Sequence, residues 1–142
     1  QAYKLWHEFL PHFPKTSRYT LGSKIDELFL ATIENIFVAG YLPITQKMPW
    51  VIKASAKLDL LKFFLQIAWE IKSLDNKKFI LFSEKLNEIG RMLGGWQKHL
   101  QKETSAPLAK EQNNLRGHNN RSLELKSLSS QLKFRYQRSP FQ

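Results

Sequence analysis

The chain has 142 residues, room for one domain with a respectable core, and sets 22 Lys and Arg against 12 Asp and Glu for a net charge of +10. That balance points to a polyanionic partner, nucleic acid first and an acidic membrane second. The absence of cysteine excludes a disulfide framework, a Cys-bearing zinc site and a thiol nucleophile, and fits a reducing cytoplasm.

The first helical stretch is short, about 2–12, with Leu5, Trp6, Phe9 and Phe13 on one side and Pro11 and Pro14 bracketing its end. A second starts near Pro14, a residue suited to a first helical turn. It carries Leu21, Ile25, Leu28, Phe29, Ile33, Ile36 and Phe37, and is predicted to stop at Gly40 as a C′ residue, with Pro43 beyond. A third is predicted from Met48 and Pro49 to about Leu74. It has one stripe of Ala54, Leu58, Leu61, Leu65 and Ala68 and a second of Leu60, Phe64, Ile67, Ile71 and Leu74, the wide face of a helix with several neighbours. Asp75 or Asn76 caps a fourth, about 77–102. The connection is short enough to make the third and fourth helices antiparallel neighbours. The expected fold is all-α, an up-and-down antiparallel four-helix bundle with a short first helix, spanning residues 1–103.

The fourth helix has an unbroken seam of Phe79, Phe82, Leu86, Ile89, Leu93, Trp96 and Leu100, spaced alternately by three and four. Gly90, Gly94 and Gly95 interrupt neither end of it, although each costs a helix about 1 kcal/mol against alanine. Close approach of a neighbouring backbone explains that cost, on the chain's own bundle or on another subunit. Trp96 lies on the seam, and Trp69 falls between Gln66 and Ser73 toward the polar side of the third helix, where an aromatic predicts a subunit contact.

From Thr104 to Gln142 the composition turns to Ser, Asn, Gln and basic residues. Lys110, Arg116, Arg121, Lys126, Lys133, Arg135 and Arg138 stand there against Glu111 and Glu124. Leu123, Leu125, Leu128 and Leu132 support one weak helix. Otherwise residues 104–142 read as a basic polar tail, disordered or ordered by a partner.

No catalytic constellation is legible. The histidines are His7, His12, His99 and His118, with no Glu-x-x-His for a di-iron carboxylate centre. His7 and Glu8 are not followed by the second histidine of a zinc-protease motif. The glycines lie within a helix rather than in a phosphate-cradling loop, and no paired aspartates suit two magnesium ions. The reading is a non-enzyme without cofactor or metal. With no apolar run near the roughly 18 residues of a membrane span and no leader-like opening, it is expected to be cytoplasmic and free of membrane.

Binding has more support. Lys53 and Lys57 lie one turn apart; Arg91, Lys98 and Lys102 share a face of the fourth helix; Lys15, Arg18 and Lys24 cluster near the start of the second. In an antiparallel pair, Lys53, Lys57, Lys98 and Lys102 are predicted to form one basic end, holding phosphates with little sequence preference. Trp50, Trp69 and Trp96 are also capable of stacking on bases, but their places on or beside apolar stripes favour packing.

Three motifs occur in order: Phe13-Pro14-Lys15-Thr16-Ser17-Arg18-Tyr19-Thr20-Leu21-Gly22, Ala56-Lys57-Leu58-Asp59-Leu60-Leu61, and Ile89-Gly90-Arg91-Met92-Leu93-Gly94-Gly95-Trp96. Over about residues 3–103 the chain resembles the Avd family, the accessory variability determinants of diversity-generating retroelements. That family lies within a wider group of four-helix bundles that includes proteins encoded in 23S rRNA intervening sequences. The resemblance implies a basic, barrel-like homopentamer that binds nucleic acid and associates with the retroelement reverse transcriptase. The polymerase copies template RNA into mutagenised cDNA and carries the catalytic carboxylates. Lys15, Arg18 and Arg91 fall within the motifs; whether Arg18 and Arg91 touch RNA or hold the bundle together is open at this point. The alternatives are an intervening-sequence type of bundle or a purely structural oligomeric adaptor.

Overall fold

The computed structural model describes residues 1–136, with side chains for 1–105, 116 and 119–128. The described residues are helical and contain no strand. Helix α1 (Ala2–Phe9) runs into a 3-10 turn, Leu10–His12, and α2 (Lys15–Ser17) is a single turn that passes through a π-turn, Arg18–Gly22, into α3 (Ser23–Tyr41). Helices α4 (Ile44–Glu70) and α5 (Asn76–Tyr136) follow.

One core joins these elements. Trp6 is fully buried and lies against Phe29 of α3 (6.0 Å between centroids), Phe82 of α5 (6.0 Å) and Phe13 (5.7 Å). Helix α4 adds Val51, Ala54, Leu58, Leu61, Leu65 and Ala68. The predicted seam of α5 is present: Phe82, Leu86, Leu93 and Leu100 are buried, and Phe79, Ile89 and Trp96 pack half-buried against them. The second stripe of the third predicted helix divides. Leu74 is buried and Phe64 half-buried, whereas Leu60 and Ile71 are exposed.

Helices α4 and α5 are antiparallel in a defined register. The Gln97 amide nitrogen donates to Ser55 Oγ at 2.7 Å, and Gly90 lies beneath Lys62 Nζ and Leu58. Seven residues forward along α4 therefore match seven back along α5. The turn between them starts with a Schellman cap. Ser73 N–H donates to the Ala68 carbonyl at 2.8 Å and Lys72 N–H to that of Trp69 at 2.9 Å, with Lys72 at φ 59°. Asp75 Oδ1 then accepts from Lys78 N–H at 2.9 Å, the N-cap expected for the fourth helix.

Several boundaries differ from the sequence reading, and α4 ends at Glu70 rather than near Leu74 because the left-handed Lys72 stops it. Gly40 is not a left-handed C′ residue: α3 continues to Tyr41, and no glycine among the described residues has positive φ. Pro43 imposes the stop instead, because the residue before a proline is driven to extended backbone and Leu42 has ψ 156°. Lys47 Nζ, 3.0 Å from the Gly40 carbonyl, satisfies an end that a glycine cap would otherwise serve. Helix α4 begins at Ile44 with Pro43 at its N-cap, so Pro49 lies inside it rather than at its start.

Finally, α5 does not stop near Lys102 but runs to Tyr136. Residues 105–136 include many strong helix formers, among them Leu, Lys, Arg, Gln and Glu, and the helix runs on through Pro107, Asn113, Asn114 and Gly117. The chain still divides into two compact units, Gln1–Glu103 and a second beginning at Thr104, where the composition changes. In the second unit Arg116, Arg121, Leu123, Leu125, Lys126 and Leu128 are exposed. Lys110, Leu132, Lys133 and Arg135 belong to α5, but their side chains are outside the description, and Arg138 lies outside the described residues.

A non-glycine residue in left-handed backbone costs about 1–2 kcal/mol. Lys72→Gly is therefore expected to stabilise the protein by about 1 kcal/mol, read as a higher denaturant midpoint with unchanged slope. A lower midpoint would mean that the Lys72 side chain holds the turn.

Candidate nucleic-acid interface

The basic residues fall into three environments. Arg18 is half-buried and its guanidinium is committed to backbone: Nε donates to the Phe13 carbonyl at 3.0 Å, and Nη2 to Phe13 at 2.8 Å and Pro11 at 2.5 Å. These bonds tie the 3-10 turn onto the start of the π-turn. Lys15, three residues away, is exposed, and Lys24 pairs with Glu27 at 3.0 Å.

Lys53 and Lys57 are exposed on α4, and Lys53 Nζ lies 4.5 Å from the Trp50 ring centroid. The α4–α5 register sets this pair level with Lys98 and Lys102, as an antiparallel arrangement predicts. Facing direction separates them. At about 100° per residue, Lys53 and Lys57 each fall about 160° from Ser55, the residue turned to α5. The four lysines share an end of the bundle but not a patch.

The third environment is a ridge. At about 100° per residue, Arg91, Lys98 and Lys102 fall within about 40° of one another along α5. All three are exposed, and none of them has an ion-pair partner among the described residues. Beside this ridge, α4 and α5 form an open groove of about 530 Å³. Its α4 wall has Ser55, Asp59 and Lys62, and its α5 wall Asn87, Arg91 and Gln97, with Leu58, Gly90 and Gly94 between.

Lys62, Asp59, Asn87 and Gln97 were not singled out by sequence. Their signal is there: Ser55, Asp59 and Lys62 recur with helical spacing, as do Asn87, Arg91, Gly94 and Lys98. Such polar stripes read as ordinary solvated faces until the register places one opposite the other.

Among the three seam glycines only Gly90 has a close neighbour within the chain, and it is a side chain and not the expected backbone: an added Cβ would stand 3.1 Å from Lys62 Nζ. At Gly94 and Gly95 an added Cβ would meet nothing within 4 Å. The chain's own packing thus gives no reason for either. Trp69 is 38% exposed; it stacks on Phe79 at 4.9 Å, and its Nε1 donates to Asn76 Oδ1 at 2.5 Å. These contacts close the α4–α5 turn and account for Trp69 inside the chain. Trp96 is half-buried against the core, with Lys47 Nζ 5.7 Å from its ring centroid.

Elsewhere, burial first and then the neighbouring Asp26 carboxylate, its hydrogen-bond partner, push the Tyr3 phenol above its ordinary pKa. No group of three or more His, Cys, Asp or Glu able to hold a metal occurs among the described residues. No described helix is long and apolar enough to cross a membrane.

The described residues define a basic, helical protein whose exposed cations include a row of three, Arg91, Lys98 and Lys102, along one face of α5. Comparison with family models places it further: the chain belongs to the bAvd-like family, whose model matches residues 2–100. That range covers all three sequence motifs and ends at Leu100, ahead of the second unit. Neither a search of curated proteins nor one of solved structures gave a match.

Since hydrogen bonds to a charged donor contribute about 1.5–3 kcal/mol, Arg18→Ala is expected to lower stability by about that amount. Its affinity for nucleic acid, measured by titration well below the melting temperature, should stay at the parent value. A folded Arg18→Ala variant with weakened binding would show that this arginine also reaches the ligand.

Proposed function

We propose that the protein is a non-catalytic, nucleic-acid-binding accessory subunit of a diversity-generating retroelement, working with its reverse transcriptase and template RNA or cDNA during mutagenic retrohoming. Membership of the bAvd-like family over residues 2–100 carries this reading. The row of Arg91, Lys98 and Lys102 supports it physically, because exposed cations without an ion-pair partner are free to replace the counterions of a phosphate backbone. Lys15, Lys53 and Lys57 add positive charge on other sides and steer encounter more than they hold a strand.

The subunit works as a homopentamer in this reading. Two apolar stripes support self-association: Leu30, Ile33, Phe37 and Tyr41 on α3, and Ile52, Leu60 and Phe63 on α4 with Ile71 at its C-cap, all at least 38% exposed. Stripes of this extent are unusual on a lone soluble domain. Two different stripes meeting head to tail generate a ring when the rotation closes. Gly95, open in the single chain, is available to such a contact.

Two measurements test the proposal. Affinity for RNA should fall steeply between about 50 and 200 mM salt, and Lys98→Glu with Lys102→Glu should weaken it across sequences and flatten the salt dependence. Unchanged affinity would remove the α5 ridge as the binding surface. Light scattering should give a mass near five chains, with Phe63→Lys reducing it to one; a monomeric parent would remove the ring. Co-expressed with its reverse transcriptase, the protein should co-purify with it and be required for template-specific cDNA synthesis. Synthesis without it would favour the intervening-sequence type of bundle.

A further inference from the structure

We infer that the groove between α4 and α5 is a track for a single nucleic-acid strand and excludes a duplex, an inference that rests on the proposed nucleic-acid function and narrows its ligand. The groove combines three features. Its two walls bring Lys62 and Arg91, from different helices, to one cleft, and neither has an ion-pair partner among the described residues. Along the same cleft stand Asn87 and the hydrogen-bonded pair Gln97 and Ser55, side chains that both donate and accept hydrogen bonds, as base edges and ribose hydroxyls require. Above Gly94 the cleft is open, so a ligand backbone can descend to the main chain of α5.

Width decides which ligand fits. Packed helix axes lie about 8–10 Å apart, narrower than the major groove alone of a B-form duplex at about 12 Å, and a duplex of either form is broader than one of its grooves. A duplex therefore rides on the rims, reaching Lys98 and Lys102, and only a single strand reaches Gly94, Asn87 and Gln97. Asp59 adds direction. Its carboxylate, unpaired beside Lys62, repels phosphate and accepts from a ribose hydroxyl or a base amine. The phosphates are thereby set toward Arg91 and the ridge, and the sugars and bases toward α4. The groove also accounts for Gly94, the glycine that the chain's own packing leaves unexplained: any side chain there would occupy the strand's path.

The test uses the full chain, a labelled poly-U RNA strand and an RNA duplex of the same length. Gly94→Leu fills the groove without meeting protein atoms at its Cβ, and leucine is the better helix former, so its melting temperature and assembled mass should match the parent. It is expected to lose about tenfold or more in affinity for the strand, the loss of one or two charge-assisted contacts, and to keep its affinity for the duplex. Arg91→Met with Lys62→Met provides the second route and should show the same selective loss.

Parental strand affinity in both the leucine and the double methionine variants would overturn the inference. So would equal loss of strand and duplex, which would place no selectivity in the groove. A changed mass for Gly94→Leu would show that a second copy covers the groove instead. Failure of the underlying reading looks different: charge reversal at Lys98 and Lys102 would then leave binding of both ligands unchanged.

Discussion

The antiparallel register of α4 and α5 is the constraint on which the binding surface depends. It is fixed at one end by the Schellman cap around Lys72 and the Asp75 N-cap, and along its length by leucines of both helices that cannot slip without leaving the core. A shift of one residue would rotate α5 by about 100°, carrying Leu86 and Leu93 out of the core. The cost would be several kcal/mol, since each buried leucine contributes about 1.5–3. Because the seam holds, Gln97 meets Ser55 and Gly90 passes beneath Lys62. The groove and the cationic ridge are consequences of an apolar arrangement on the opposite side of the same helices.

A second tie secures the other side of the bundle. Trp6 gathers Phe13, Phe29 and Phe82, and Arg18 holds the 3-10 turn by its carbonyls. A motif arginine in a basic protein invites assignment to RNA. Here its donors are turned inward, and the positive charge helps close a turn whose backbone groups would otherwise lack partners. In the proposed function the contacts to nucleic acid fall to cations that have no such employment, Arg91 and Lys62 among them.

Much of the fold was legible in the sequence because apolar spacing reports directly on burial. The seam from Phe79 to Leu100, the buried stripe of α4 and the cap at Asp75 were all readable from periodicity and side-chain chemistry. Helix ends were harder: Gly40 and Pro43 both signal a stop, and the proline prevailed because it constrains Leu42 sterically, whereas the glycine merely permits a bend. The candidate site was legible only in part. The shared face of Arg91, Lys98 and Lys102 follows from one helix and was visible, while Lys62, Asn87 and Gln97 become neighbours only through register. Lys53 and Lys57 show the converse, since level was predictable and direction around the helix pair was not. The cost of the α5 glycines is legible from sequence, but the close backbone expected of them is absent within the chain: Gly90 meets only the side chains of Lys62 and Leu58, and Gly94 and Gly95 meet nothing.

Hydrogen-exchange protection on a bound single strand tests the central claim most directly, since it reports where the ligand lies without altering a residue. Added RNA strand should slow exchange along facing stretches of α4 and α5, from Ser55 to Lys62 and from Asn87 to Lys102, and leave α1 and the Lys53–Trp50 face unchanged. Protection centred on Trp50 and Lys53, with none between Asn87 and Lys102, would contradict the account.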